Sequence, residues 1–182
     1  MADVSDILGD DSSSEAYYVP SDDEFVIVSE NTYPAHIVDL KVINTKIRST
    51  GNACMIFKPV YQIADEAEEH QGRTVNSNGI FRYGGGTPGE SNRTATSGNR
   101  AYKDFLDMVN VTPQEVKDEN TGKVAYSLPL VTKDDIYGVP VMIKVKHRNY
   151  EYDGKLRTAA DGILISVWGD GKAKQMDDDL PF

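Results

Sequence analysis

The feature that most constrains the fold is a single clear helical pattern lying between two groups of strand-like segments. In "RAYKDFLDMVNV", residues 100–111, four apolar side chains recur at i, i+3, i+4 and i+7: Tyr102, Phe105, Leu106 and Val109. This spacing predicts an amphipathic helix that buries one face. Three segments with strand character precede the helix and two follow it, so the chain is predicted to be mainly β.

The strand-like segments show alternating apolar residues and are bounded by turn signals. They are residues 32–47, 53–64, 73–83, 138–148 and 156–168. The first segment is predicted to keep one alternation throughout, with the even-numbered residues from His36 to Val42 on one face. An Asp-Gly pair at positions 153 and 154 predicts that the last two strands form a hairpin.

Three strands, a helix and a two-stranded hairpin follow the order of an OB fold, a five-stranded barrel with a helix between strands three and four. A generic α+β sheet fits the same order. A further short strand is predicted at 25–30, and "TPQE" at 112–115 predicts the start of a second, short helix. Residues 84–99 are rich in Gly, Ser and Thr without a core-forming side chain, which predicts a flexible loop.

Acidic residues are concentrated near the two ends of the sequence. Residues 1–30 hold nine Asp or Glu and no Lys or Arg, and residues 176–182 hold three Asp and no base. The net charge of −10 therefore conceals a central part with 17 acids, 19 bases and a net charge of +2. We expect a mostly flexible acidic arm at 1–24, an OB domain at 25–169 and an acidic tail at 170–182.

The side chains do not form a recognisable catalytic or metal site, so we expect a non-enzymatic protein without a cofactor. "GGGTPGES" has Glu90 where a phosphate-binding loop requires lysine. Cys54 is the single cysteine and lies in an apolar run, and the three histidines have no partner at catalytic spacing. No apolar run reaches the roughly 18 residues of a membrane span, and the start of the chain lacks a signal-peptide pattern. We expect a soluble, cytoplasmic protein.

Basic and aromatic residues alternate in the strands on either side of the helix. One set lies in the fourth strand and the hairpin after it: Lys144, Lys146, Arg148, Tyr150, Tyr152 and Lys155. A second set lies in or beyond the third strand: Arg73, Phe81, Arg82, Tyr83, Arg93 and Arg100. Trp168 ends the last strand. Stacking rings and phosphate-neutralising cations are what a single-stranded nucleic acid requires, although the same residues also suit barrel ends and a solubilising edge.

The last seven residues, "MDDDLPF", place three carboxylates before an apolar end. This segment resembles the acidic, Pro-Phe-ending tip of bacterial single-stranded DNA-binding proteins, and comparable tails occur in tailed-phage proteins of that role. The body is similar to phage members of the family in three places: "YPAHIVDLKV", "YKDFLDMVNV" and "GVPVMIKVKHRNYEYDGK". The resemblance implies an OB fold that binds single-stranded DNA and a tail that recruits replication or recombination proteins such as a polymerase, helicase, primase or nuclease. The implied tail residues are Asp177, Asp178, Asp179, Leu180, Pro181 and Phe182.

Two departures from the bacterial pattern favour a phage or plasmid relative. The tether "GDGKAKQ" before the tail is short, with a reach of roughly 15 Å if flexible, and the acidic arm at 1–24 has no bacterial counterpart. A short tether would also let the tail compete with DNA for the basic surface. The alternative function is a protein-interaction adaptor that docks through its acidic ends. Oligomeric state, including a homo-oligomer, and the choice between DNA and RNA stay open.

Overall fold

Residues 27–175 are described in a computed structural model of the chain. Within these residues there are eight strands and two α-helices. The strands are β1 (Thr32–Lys46), β2 (Ala53–Ile63), β3 (Thr74–Ser77), β4 (Ile80–Tyr83), β5 (Gln114–Lys117), β6 (Val124–Ser127), β7 (Pro140–Tyr152) and β8 (Lys155–Val167). The helices are α1 (Arg100–Met108) and α2 (Lys133–Ile136). The predictions on 1–24 and on the tail from Met176 lie outside the described residues.

Five strands close into a barrel in the order β1, β7, β8, β3 and β2, and β2 pairs again with β1. All of these pairs are antiparallel except β3 with β8, where Asn76 lies opposite Asp161 and Ser77 opposite Gly162. The strand β4 extends the β1–β2 ribbon beyond the barrel. The chain order and the helix between the third and fourth barrel strands are those of an OB fold, which confirms the predicted fold class.

Alternating side chains of the strands fill the barrel, and α1 closes one end. On β1 and β7 the inward residues include Ala35, Ile37, Val141 and Ile143, all fully buried. The predicted helix is confirmed, and its buried face is the predicted one. The ring of Tyr102 lies 4.7 Å from that of Phe57 on β2, measured between centroids, so the helix packs directly on the barrel core.

A bulge in β1 corrects the prediction of one continuous alternation. The register with β2 shifts between Ile37 and Asp39, so the inward set changes from odd to even positions. Leu40 therefore packs against the core, as Ile37 does three residues earlier. One extra residue moves all later side chains to the other face of a strand.

The predicted third strand is divided into β3 and β4, which pair with different parts of β2. Gly79 lies at the division with φ +106°, a value that favours glycine. A Cβ atom there would lie 2.8 Å from Cγ2 of Ile56. The glycine therefore permits both the turn and the close approach of β4 to β2.

The prediction of a helix from Thr112 is wrong, because this stretch enters the hairpin β5–β6. Asp118 stabilises the turn by accepting hydrogen bonds from the backbone N–H groups of Asn120 and Thr121. A capping box is present at α2 instead, where Thr132 and Asp135 exchange hydrogen bonds. Strand pairing satisfies more backbone groups in β5 than one helical turn would.

Two further predictions are corrected at the segments beside the barrel. Residues 27–30 of the short strand predicted at 25–30 are not in a strand. They form a strap along β7, in which Nε2 of His147 donates to the carbonyl oxygen of Val28 at 2.8 Å. The glycine-rich segment 84–99 does contain a core residue, since Ala95 is buried. It also contains a 3-10 turn at Ser97–Asn99 and hydrogen-bonded turns around Asn92.

Candidate nucleic-acid interface

The hairpin of β7 and β8 projects beyond the barrel and carries a basic, aromatic face. Val141, Ile143 and Val145 point into the core, so the alternate residues of β7 point outward. These outward residues are Lys144, Lys146, Arg148, Tyr150 and Tyr152. Residues 147–158 are exposed to solvent. We call them the arm from here on, as distinct from the acidic N-terminal segment predicted at 1–24.

The register adds cations from β8 to this face. Tyr152 lies opposite Lys155, and Tyr150 lies opposite Arg157. Directly opposite residues of an antiparallel pair share a face. Asp153 and Gly154 both have positive φ, as the type I′ turn at the tip requires.

Two guanidinium groups lie over tyrosine rings on the arm. The Cζ atom of Arg148 is 5.6 Å from the ring centroid of Tyr150, and that of Arg157 is 5.0 Å from Tyr152. Tyr152 is 62% exposed despite this contact, so most of its ring faces solvent. The contacts orient rings and cations together before any ligand arrives.

One cation of this face is already paired. Nε of Arg148 lies 2.7 Å from Oδ2 of Asp161, the residue opposite Lys146 on β8. This hydrogen bond raises the pKa of Arg148 above its usual value. The carboxylate therefore offsets part of the positive charge at the base of the arm.

A second aromatic surface lies on the outward face of β4. The rings of Phe81 and Tyr83 stack with centroids 6.0 Å apart and planes inclined by 15°. We call this pair the β4 platform. Phe81 is 42% exposed. It lies directly opposite Ile56 of β2, and on its other side Ile56 lies directly opposite Ile43 of β1. The platform therefore continues across three strands as an apolar surface.

Two lysines that were not predicted as binding residues border this surface. Lys41 of β1 lies directly opposite Lys58 of β2, on the same face as the β4 platform. Like charges in this position destabilise a sheet unless an anion lies between them. The alternation of side chains within β1 and β2 indicates which positions face outward. That Lys41 lies opposite Lys58 follows only from the register between the two strands, which the bulge in β1 sets.

The other predicted residues lie apart from these two surfaces or have structural contacts. Arg82 points under the sheet, where its guanidinium donates to the carbonyl of Leu128 at 3.0 Å and lies 6.0 Å from the ring centroid of Tyr102. Arg73 precedes β3. Arg93 is exposed in the glycine-rich segment, and Arg100 begins α1. The structure therefore does not gather all predicted binding residues on one face.

Trp168 belongs to a segment that folds back on the barrel. Its ring packs edge-on to His36 with centroids 5.7 Å apart. The backbone N–H of Lys174 donates to the carbonyl of Gly138, and the carbonyl of Lys172 lies 2.8 Å from Nε2 of His36. A side chain at Gly138 would collide with the Lys174 carbonyl. Residues 168–174 are thus attached to the barrel, which leaves Gln175 as the part of the predicted tether without these contacts.

Within residues 27–175, no group of three or more His, Cys, Asp or Glu side chains is arranged to hold a metal ion. No helix in this part of the chain has the length and apolar character needed to cross a membrane. Neither the protein-family models nor the curated protein sequences compared with the chain give a match.

Proposed function

We propose that the protein binds single-stranded DNA without strong sequence preference. The observation that carries this proposal is the outward face of the arm, where Tyr150 and Tyr152 alternate with Arg148, Lys155 and Arg157. Successive outward positions of a strand are roughly 6.8 Å apart, a spacing comparable with that of phosphates along an extended nucleic acid. Rings stack on bases of any sequence, and cations neutralise phosphates.

The β4 platform supports the same function through different chemistry. Phe81 and Tyr83 present stacked rings beside the cations of Lys41 and Lys58. A nucleic-acid phosphate between these lysines would relieve their repulsion, while bases stack on the platform. The OB fold binds oligonucleotides on the corresponding strands in other proteins. We propose that the protein binds and protects single strands during replication, recombination or repair of phage DNA.

Fluorescence anisotropy with a labelled oligothymidine at low and high salt tests this function. The Tyr152→Ala variant should bind about 5- to 100-fold more weakly, and Tyr152→Phe should retain the affinity of the wild type. The Arg157→Ala variant should lower the slope of log affinity against log salt by about one. Lys123→Ala, which removes an exposed cation from the β5–β6 turn, is the matched control. Absence of binding at low salt would favour the adaptor function instead.

We also propose that residues 177–182 recruit replication or recombination proteins to the bound strand. The support is the sequence itself, which joins three carboxylates to Leu180, Pro181 and Phe182 and fits an apolar pocket with a basic rim. The tether residue Lys174 is attached to the barrel, where its backbone N–H donates to the carbonyl of Gly138. Deletion of residues 176–182 should remove partner capture and raise DNA affinity. Unchanged affinity and salt dependence would contradict competition between tail and DNA.

A further inference from the structure

The inserted hairpin β5–β6 forms one wall of a groove of about 650 Å³. The opposite wall is the glycine-rich segment from Gly84 to Ser91, and the start of α1 contributes Arg100 and Lys103. Ligand pockets in proteins have volumes of about 300–1,000 Å³. The hairpin is not part of the five-stranded barrel, so barrel closure does not explain it.

Specific contacts hold the walls of this groove in place. Oδ1 of Asn99 accepts a hydrogen bond from the backbone N–H of Tyr83 at 2.7 Å, and Nδ2 of Asn99 donates to the carbonyl of Tyr83 at 2.9 Å. These two bonds join the start of α1 to β4. The guanidinium of Arg82 bonds the carbonyl of Leu128, just after β6. At the other end, a Cβ atom on Gly89 would lie 3.1 Å from the carboxylate of Asp118, so the segment touches the hairpin turn.

The groove combines exposed apolar groups with cations. Tyr126 is 48% exposed and Val124 is 53% exposed, although both line a concave surface. Nζ of Lys103 lies 5.0 Å from the ring centroid of Tyr126 and 2.8 Å from Oδ2 of Asp107. Arg100 is more available, since its side chain is 88% exposed and its contact with Asp104 measures 3.8 Å. Among the lining residues that belong to the described part of the chain, Glu90 is the one carboxylate.

The groove is continuous with the β4 platform, because Tyr83 belongs to both. A strand whose bases stack on Phe81 and Tyr83 would therefore enter the groove next. There it would meet the ring of Tyr126 and the positive charges of Lys103 and Arg100. Aromatic stacking next to cations is the combination that single strands recognise.

We propose that this groove is a second nucleic-acid subsite, which takes the nucleotides that follow those on the β4 platform. Tyr126 stacks with a base, and Arg100 and Lys103 face the adjoining phosphate. The hairpin β5–β6 thereby lengthens the binding site beyond the barrel. This inference rests on the proposed function, since it requires that the protein binds a single strand.

The experiment compares oligothymidines of increasing length with the full chain and a Tyr126→Ala, Arg100→Ala double variant. We expect the variant to lose about tenfold or more in affinity for long oligonucleotides and little for the shortest one bound, with a smaller number of nucleotides covered. Lys123→Ala changes the same hairpin outside the groove and should behave like the wild type. Circular dichroism and thermal unfolding verify that the variants are folded.

Photocrosslinking gives a second measurement on the unaltered protein. A halogenated-uracil oligonucleotide should form a crosslink to the peptide that contains Tyr126. If the wild type binds and the double variant shows no length-dependent loss, or the crosslinks omit this peptide, the groove inference is overturned while the arm function stands. If the wild type binds no oligonucleotide at low salt, both are overturned.

Discussion

Arg148 and Asp161 form an ion pair, Nε to Oδ2 at 2.7 Å, in the middle of the surface that we assign to DNA. The side chain of Asp161 is 15% exposed and that of Arg148 is 59% exposed, so the carboxylate is the better anchored partner. The pair directs the guanidinium across the strands and offsets its charge. A phosphate that binds there must compete with this carboxylate.

Replacement of Asp161 by Asn should therefore strengthen DNA binding. Loss of the carboxylate removes one negative charge at the base of the arm and releases Arg148 for phosphate contact. We expect higher affinity and a slope of log affinity against log salt that is steeper by about one. Anisotropy titrations over a series of salt concentrations measure both quantities. Asp170→Asn removes the same charge outside the arm, and an equal gain in that variant would contradict a local effect.

The lysine pair on the outward face gives a prediction in which stability and binding change in opposite directions. Lys58→Ala removes the repulsion with Lys41, so thermal unfolding should occur at an unchanged or slightly higher temperature, by no more than about 2 °C. DNA affinity should fall at the same time, because one phosphate contact is lost. A variant that loses stability and keeps its affinity would show that Lys58 has a packing role instead.

The arm and the barrel strands follow closely from the sequence, because alternation is a local signal. It places Lys144, Lys146 and Arg148 outward without knowledge of their neighbours. The register between strands cannot be predicted in this way, because a one-residue bulge after Ile37 decides which side chains of β1 lie opposite those of β2. The pair of Lys41 and Lys58 depends on that bulge, so it could not be read from either strand alone.

The groove shows the same limit for an inserted element. "TPQE" fits a helix start locally, and the pairing of β5 with β6 overrides it. A helix that starts at Thr112 leaves Tyr126 without a predicted neighbour. The available signal is the short apolar run from Val124 to Tyr126, preceded by the glycine at position 122.

Two buried tyrosines should make the protein sensitive to alkaline pH. Burial raises the pKa of Tyr61 and that of Tyr102 from 10.0 to about 12. Between these values the unfolded chain loses protons that the native state keeps, so the free energy of unfolding falls as pH rises from about 10 to 12. Their contribution is fully present below about pH 10. Urea unfolding at near-neutral and alkaline pH measures the loss.

The Tyr102→Phe variant separates the effect of this tyrosine from the loss of stability that the increasing negative charge of the whole chain causes at alkaline pH. It keeps the ring that packs on Phe57 but removes the hydroxyl, which donates to the carbonyl of Pro129 at 2.8 Å. We expect about 1 kcal/mol lower stability near neutral pH and a weaker decline above about pH 10. The same pH dependence in wild type and variant would exclude Tyr102 as a source.

The closure of the barrel depends on a glycine where the parallel strands β3 and β8 meet. Gly162 lies opposite Ser77, and a Cβ atom there would lie 2.8 Å from Cδ2 of Tyr61 and 3.3 Å from Cγ1 of Val75. Gly162→Ala should therefore overpack the core and lower the free energy of unfolding by about 1–3 kcal/mol. Gly169→Ala is the matched control, because no atom of the described residues, apart from the two chain neighbours, lies within 4 Å of the added Cβ. Urea unfolding compares the two, and equal stability in both would mean that Tyr61 moves aside at no cost.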